Sequence, residues 1–321
     1  VTFHPQGSNI YTPSSGQKLI RLLLTGDSWL DPSTLRIMFD LVNTDTATKR
    51  LRPLRAPWAS FRRLRILAGG QVVEDIDFYN RVHQMFHMFR SKLANVNETG
   101  EAFGNCTWND AADCTTISQN VGIAPGFSQT VMFKLLSGLF TQNKYLPIRY
   151  CPITIELELV DTATDAIFTP ATTPAESLEN PGDTPTTTST SWAIQNVMVK
   201  VDMCTLDNAL DNSYAQHLLS GKALPINYNT WVSQFQTLSG SDSLIAVTRA
   251  LARLKSVFVT LDKARGPNTD PNAASRDHLY LKPWNDFFSP LAEQSAGGAL
   301  TSLRDGEFDF GLQIGSTRYP I

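Results

Sequence analysis

Residues 133–160, FKLLSGLFTQNKYLPIRYCPITIELELV, decide how the chain is read. From Ile153 the residues alternate strictly, with Ile153, Ile155, Leu157 and Leu159 on one face and Thr154, Glu156 and Glu158 on the other. A period of two is that of a half-buried antiparallel strand. Ahead of it, Leu146-Pro147-Ile148 and Cys151-Pro152 carry prolines, which a sheet tolerates only at strand starts, edges or bulges. The two hydrophobic runs are therefore separate elements on one core.

Working outward toward the N-terminus, residues 1–17 are rich in Ser, Gly, Pro and Thr and read as an extended arm suited to binding a neighbour. Lys18 to Leu24 is an apolar run. After turn signals at Gly26-Asp27 and Asp31-Pro32, Leu35, Ile37, Phe39 and Leu41 alternate as a second strand, so two paired antiparallel strands are expected. The run Leu64 to Glu74 is a hairpin closed by Gly69-Gly70, residues that supply the positive φ of a tight turn. Asp77 stands as an N-cap before Phe78, Val82, Met85, Phe86, Phe89 and Leu93, whose spacing predicts an amphipathic helix with that stripe on the sheet. Residues 95–129 form a loop too long for a plain connection, so it covers a surface or reaches a neighbour.

Toward the C-terminus, residues 162–191 are dominated by Thr, Pro, Ser, Ala, Glu and Asp, too polar to fold alone, and mark a domain boundary. From Trp192 a second sheet is expected, with Val197, Val199, Val201 and Met203 on one face. A short helix follows over 207–219, with Leu206, Leu210, Tyr214 and Leu218 in one stripe and Gly221 just past its end. Alternation returns over Leu254 to Leu261, and short strands over 303–321. The string LLSG leading to LPI occurs at 135–148 and again at 218–226, a weak sign of duplication.

Composition narrows function by exclusion. At 321 residues and net charge −3, the chain is neither a globally basic nucleic-acid binder nor an acidic tail. No apolar run approaches the roughly 18 residues of a membrane span, and no signal-peptide pattern opens the sequence. Four cysteines are too few for a disulfide scaffold of this size, so a reducing compartment is expected. Cys151 and Cys204 lie in strand-like runs as buried apolar residues, while Cys106 and Cys114 bracket a loop in which a local disulfide is sterically allowed. No nucleophile elbow, P-loop or dinucleotide fingerprint is present, so no enzyme and no cofactor is expected. His83 and His87 share one helix face, but Gln84 stands where a metalloprotease needs its Glu, and the pair reads as helix-flank histidines. Glu74, Asp75 and Asp77 read as caps and solvated charges.

One patch stands out. Lys49, Arg50, Arg52, Arg55, Arg62, Arg63 and Arg65 follow one another with no acid between them and with Trp58 and Phe61 interleaved. Such a stretch suits phosphate contact by arginine beside aromatics, or pairing with acids on another surface or subunit.

The order of FRRLRILAGGQVVEDIDFYNRVHQMF, LLSGLFTQNKYLPIRYCPITIELEL and WAIQNVMVKVDMCTLDNALDNSYAQHLLSGKALPI over residues 64–230 resembles the double jelly-roll major capsid proteins of eukaryotic DNA viruses. It is most similar to the polinton-like virus, virophage and adintovirus branch, with the large nucleocytoplasmic viruses more distant. Gly69-Gly70-Gln71 followed by Glu74 and Asp75, and Leu146-Pro147-Ile148 before an alternating strand, carry most of the likeness. The resemblance implies an all-β double jelly roll, two antiparallel sandwiches side by side with short connecting helices. It implies a homotrimeric, non-enzymatic shell subunit whose pseudo-hexagonal capsomers tile an icosahedral virion assembled inside the host cell. Partners would be further copies, neighbouring capsomers, a penton or minor capsid protein, and non-specifically the genome. The expected layout is an arm over 1–17, a first roll over 18–165, a linker over 166–191 and a second roll over 192–321. That second roll is too short to be complete, so a C-terminal continuation or another chain is expected to supply the rest. Two other classes fit the residues: a single-roll shell protein whose residues 192–321 form an independent projecting sandwich, and a carbohydrate-binding β-sandwich displaying Trp231 with Phe235 or Trp284 with Phe287.

Overall fold

The computed structural model describes residues 1–14, 17–47, 49–54, 56–91, 122–167, 189–237, 244–247, 251, 253–261 and 310–319. In chain order its elements are β1 (Thr2–Phe3), β2 (Ile10–Tyr11), β3 (Leu19–Leu24), β4 (Trp29–Leu30), β5 (Arg36–Asn43), β6 (Phe61–Ala68), β7 (Gln71–Ile76), α1 (Tyr79–Met88), β8 (Ser128–Phe133), β9 (Ile153–Leu159), β10 (Trp192–Lys200), β11 (Met203–Cys204), α2 (Asn208–Leu219), β12 (Leu312–Ile314) and β13 (Thr317–Tyr319). All strand pairs are antiparallel. The protein is all-β with two short helices among the described residues.

Two sheets make the core. One runs β3-β9-β6-β7, and the other runs β1-β10-β5-β8 with β2 also on β10. The alternating strand β9 sits between β3 and β6, and its Ile153, Ile155, Leu157 and Leu159 are buried as the period of two requires. From the other sheet, β5 turns Ile37, Phe39 and Leu41 inward. Phe39 meets Phe61 edge-on at 5.6 Å, and Phe61 stacks with Phe133 at 5.7 Å, so aromatic rings from both sheets interlock in the middle. The strands 18–24 and 35–41 are thus not partners of each other; β3 and β5 lie in opposite sheets.

The domain layout changes at Trp192. Instead of opening a second sheet, β10 inserts beside β5, with Trp192 opposite Asn43 and Lys200 opposite Arg36, and carries β1 and β2 on its other side. The alternation does make a strand over Trp192–Lys200, but periodicity says nothing of which sheet a strand joins. Contacts divide the chain into one unit of residues 1–169 and 186–250 and another of 170–185 and 251–321. The independent sandwich over 192–321 is therefore excluded. In the second unit the described regular structure is the β12–β13 hairpin, turned at Gly315 with φ 61°. Residues 253–261, expected as a strand, carry no sheet pairing among the described residues.

The N-terminal arm folds onto its own chain. Its amino group donates to the Val201 carbonyl at 2.8 Å, Pro5 bridges to Leu22 on β3, and Gln6 N–H donates to the Arg21 carbonyl at 2.8 Å. The arm passes from one sheet to the edge of the other and back, which covers the unpaired edge of β3.

Two bulges correct the phase of strands that do not alternate cleanly. In β10 the register shifts between Gln195 and Met198, with Asn196 at φ 50°, so that Ile194 and Val197 both point inward although three residues apart. In β6 the shift between Phe61 and Arg63 turns Arg62 and Arg63 outward together while Phe61 and Leu64 stay in the core. The hairpin of β6 and β7 turns at Gly69 and Gly70 with φ 56° and 83°, the backbone that glycine adopts without strain.

Because Ile194 is fully buried on the interior strand of its sheet, Ile194→Ala is expected to lower stability by about 3 kcal/mol, as large-to-small core changes do. Urea denaturation followed by tryptophan fluorescence measures this. The same change at exposed Ile10 on β2 should cost less than about 1 kcal/mol.

Candidate functional site

Backbone register lines up charges across the outer face of the β3-β9-β6-β7 sheet. Arg21 lies opposite Glu156, Glu156 opposite Arg65, and Arg65 opposite Asp75, so signs alternate across all four strands. Arg21 pairs with Glu156 at 2.6 Å and Arg65 with the other carboxylate oxygen at 3.4 Å, leaving the Glu156 side chain 5% exposed. Arg63 forks onto Asp75 at 2.8 and 2.7 Å. Arg62 pairs with Asp161 and lies 3.7 Å from Asp77. This is where much of the basic stretch goes. Arg62, Arg63 and Arg65 answer acids that are distant in sequence but adjacent through register, which is why the sequence shows only positive charge.

The remaining members of that stretch are scattered. Arg52 is buried, Lys49 and Arg50 are exposed, and Arg55 lies outside the described residues. A guanidinium already forked on a carboxylate has little left to offer a phosphate, and among the described residues the stretch does not form one continuous cationic surface. Cys106 and Cys114 also lie outside the described residues. Cys151 and Cys204 are free and half-buried, short of the full burial expected of them.

Sequence reasoning missed the buried carboxylate. Glu74 shares the inward face of β7 with Ile76 and is 2% exposed, so it is neither a cap nor a solvated charge. Its oxygens accept from Ser137 Oγ at 2.6 Å and Leu139 N–H at 2.9 Å. Burial pushes the Glu74 carboxyl above the usual carboxylate range, against the pull of these bonds and that from Gly138. The group ties the 137–141 turn to the hairpin. The signal for it was present in the phase of Glu74 with Ile76.

The first LLSG string is that turn, whereas the second ends α2, where Gly221 has φ 78°. The two strings share letters and not structure. α2 begins at Asp207, as its capping residue predicts, but buries none of its side chains and meets the sandwich through Tyr214 on Trp29 at 4.7 Å and Asp211 on Arg149 at 2.9 Å.

Residues 222–237 run as a strap over β7 and α1. Lys144 Nζ donates to the Pro225 carbonyl at 2.8 Å, the Tyr228 hydroxyl to the Val73 carbonyl at 3.1 Å, and Ser233 Oγ to the Asp77 carbonyl. Gly138 lies so close to Asn229 that a Cβ there would collide with its carbonyl. Trp231 packs on Phe86 at 5.3 Å and Phe235 on Phe78 at 5.2 Å. These aromatics cover the outer side of the helix, and Phe235 stays 46% exposed. Trp284 and Phe287 lie outside the described residues.

The helix presents a different face from the one its apolar spacing predicts. Tyr79, Asn80, His83 and His87 are buried, whereas Met88 and Phe89 are exposed. Phe78, in the left-handed region at φ 48°, and not Asp77, precedes its first turn; Asp77 accepts from the Phe78 N–H at 3.0 Å. That entry rotates the helix and turns the histidines inward onto Trp58, which is itself held by its turn under β6. Among the described residues no group of His, Cys, Asp and Glu has the geometry of a metal site, and no helix is long and apolar enough to cross a membrane.

No protein-family model and no curated protein matches the chain. Among solved structures it is similar to VP54 of PBCV-1, fitted into a cryo-EM reconstruction of the virophage Sputnik, with 12% identity and a TM-score of 0.41 over 67% of this chain and 44% of that one. It is similar also to a quasi-atomic model of the PBCV-1 virus capsid, with 13% identity and a TM-score of 0.40 over 67% of this chain and 43% of that one. The chain thus spans less than half the length of these structures.

Replacing Glu74 by Gln keeps one acceptor oxygen and forces an amide N–H₂ toward either Ser137 or the Leu139 N–H. The expected loss is about 1–3 kcal/mol, the usual cost of a buried group left without its partner. Urea denaturation checks the size, and faster amide exchange at Leu139 localises it. For Glu156→Gln, a mostly covered carboxylate between two half-exposed arginines, the loss should be about 1 kcal/mol and should shrink in high salt.

Proposed function

We propose that this chain is a structural shell subunit, part of a double jelly-roll major capsid protein. The observation that carries the reading is the antiparallel sandwich itself. In the β1-β10-β5-β8 sheet, strands from early and late in the chain alternate, and two buried polar groups, Glu74 with Ser137 and Asn43 with the carbonyls of Lys49 and Ile123, fasten turns. Polar chemistry spent on holding loops to a rigid β-core suits a protein whose task is to present a fixed shape. The resemblance over residues 64–230 supports the same class.

In this reading three copies form a pseudo-hexagonal capsomer, capsomers tile an icosahedral shell with a penton or minor capsid protein, and the product resides in the virion. The second roll takes in residues of the second unit, completed by a C-terminal continuation or another chain. The arginines paired on β6 serve the sheet before they serve a genome, so contact with nucleic acid is weak and non-specific. No catalysis is assigned. The aromatic pair Trp231 and Phe235 is engaged with α1 and is not assigned to a sugar.

Electron microscopy with analytical ultracentrifugation of the purified protein tests the proposal. Three-fold particles of hexagonal outline, and closed shells at higher concentration, are the expected result. Particles that stay monomeric up to about 100 μM, a concentration at which even weak specific contacts are populated, would overturn it. Binding on a glycan array by the same monomers would move the assignment to the carbohydrate module.

A further inference from the structure

His83 occupies an aromatic box. Its ring stacks on Trp58 at 4.1 Å and 18°, meets Tyr79 edge-on at 5.4 Å and lies 6.1 Å from Phe133. It is 3% exposed, and its Nδ1 has no hydrogen-bond partner among the described residues. The indole N–H of Trp58 points instead to Gln84 Oε1 at 3.3 Å. One helical turn on, buried His87 packs on the same indole at 4.8 Å.

Among the described residues, the elements around this box supply no compensating acid. β6 contributes the inward residues Phe61 and Leu64, β8 contributes Phe133, and the turn before β6 contributes Trp58. Glu74 of β7 is committed to Ser137 and Leu139, and Asp77 to the Phe78 N–H and Arg62. The groups that act electrostatically on His83 are His87 and Arg90, both of α1 or its end and both cationic when charged. A neutral imidazole suits such a box. An imidazolium in it loses its water and meets charge of its own sign, and a cation–π contact with Trp58 offsets only part of that.

We propose that α1 is an acid-released latch: protonation of His83 undocks the helix from Trp58, loosening the strap 222–237 that lies over it and uncovering the aromatic floor of the box. Nothing in this depends on assembly into a shell. Burial drives the ionisation of His83 well below its ordinary value of 6.5, with His87 and Arg90 acting in the same direction. The closed form therefore stays unprotonated while the open form binds a proton. Docking is at full strength above about pH 6.5 and weakens as pH falls below it, by up to about tenfold per pH unit.

Hydrogen exchange with mass spectrometry, corrected for intrinsic rates, tests this between about pH 7.5 and 5, the range in which an ordinary histidine titrates. In the native sequence the protection of residues 79–88 should fall by about tenfold or more across that range while β5 and β10 keep theirs. His83→Phe, which keeps a ring on Trp58 but takes no proton, should leave the helix equally protected throughout. A helix whose protection does not change with pH in the native protein, or one that loses it in parallel in His83→Phe, would overturn the proposal. If His83→Phe does not fold, His83→Gln replaces it, and an imidazole signal of His83 titrating near pH 6.5 while the helix stays protected would overturn the proposal independently.

Discussion

Backbone pairing of β10 with β5 on one side and with β1 and β2 on the other is the constraint on which the rest of the structure depends. An interior strand satisfies its amides and carbonyls on both edges, so removing it would leave the facing edges of its neighbours as unpaired rows of polar groups. β10 arrives late, after the Thr/Pro-rich segment. The sandwich is therefore incomplete until residue 200 has been placed, and its first half is not a separable domain.

The core inherits its regularity from bulges as much as from alternation. A strict period of two would have turned Arg63 inward on β6 or Val197 outward on β10. One extra residue in each strand restores the phase, at Arg62 in the first case and near Asn196 in the second. Both irregularities have a surface consequence as well. The β6 bulge sets adjacent arginines on the outer face, where Arg63 reaches Asp75 and Arg62 reaches Asp161. At the β10 bulge, Asn196 donates to Asp40 at 2.7 Å and accepts from Asn9 at 3.3 Å, tying the arm to the sheet.

Polar groups inside the molecule fall into two kinds. Glu74 and Asn43 are fully engaged with turns that would otherwise be free to move, and they trade desolvation for a fixed loop geometry. His83 is buried for its shape and its flat ring, with Nδ1 lacking a partner among the described residues. The first kind makes the sandwich rigid; the second makes one helix conditional.

Strand existence was legible because a period of two leaves a local mark: β9, β5, the β6–β7 hairpin and β10 all follow from apolar spacing, and Asp207 and Gly221 bound α2 as their chemistry requires. β8 went unread because its six residues sit at the end of a long polar segment and show only Val131 and Phe133 as buried. Which strands pair was not legible, since any exposed β-edge can accept any other and only the packing of Phe39, Phe61 and Phe133 selects the sheets. The charged outer face of the sheet was half legible. The arginines were visible as a run, but their acids, Asp75, Glu156 and Asp161, come from other stretches of the chain. The burial of Glu74, His83 and His87 was decided only in three dimensions, because whether a polar side chain faces water depends on what the rest of the chain lays over it; for Glu74 the sequence holds only its shared phase with Ile76.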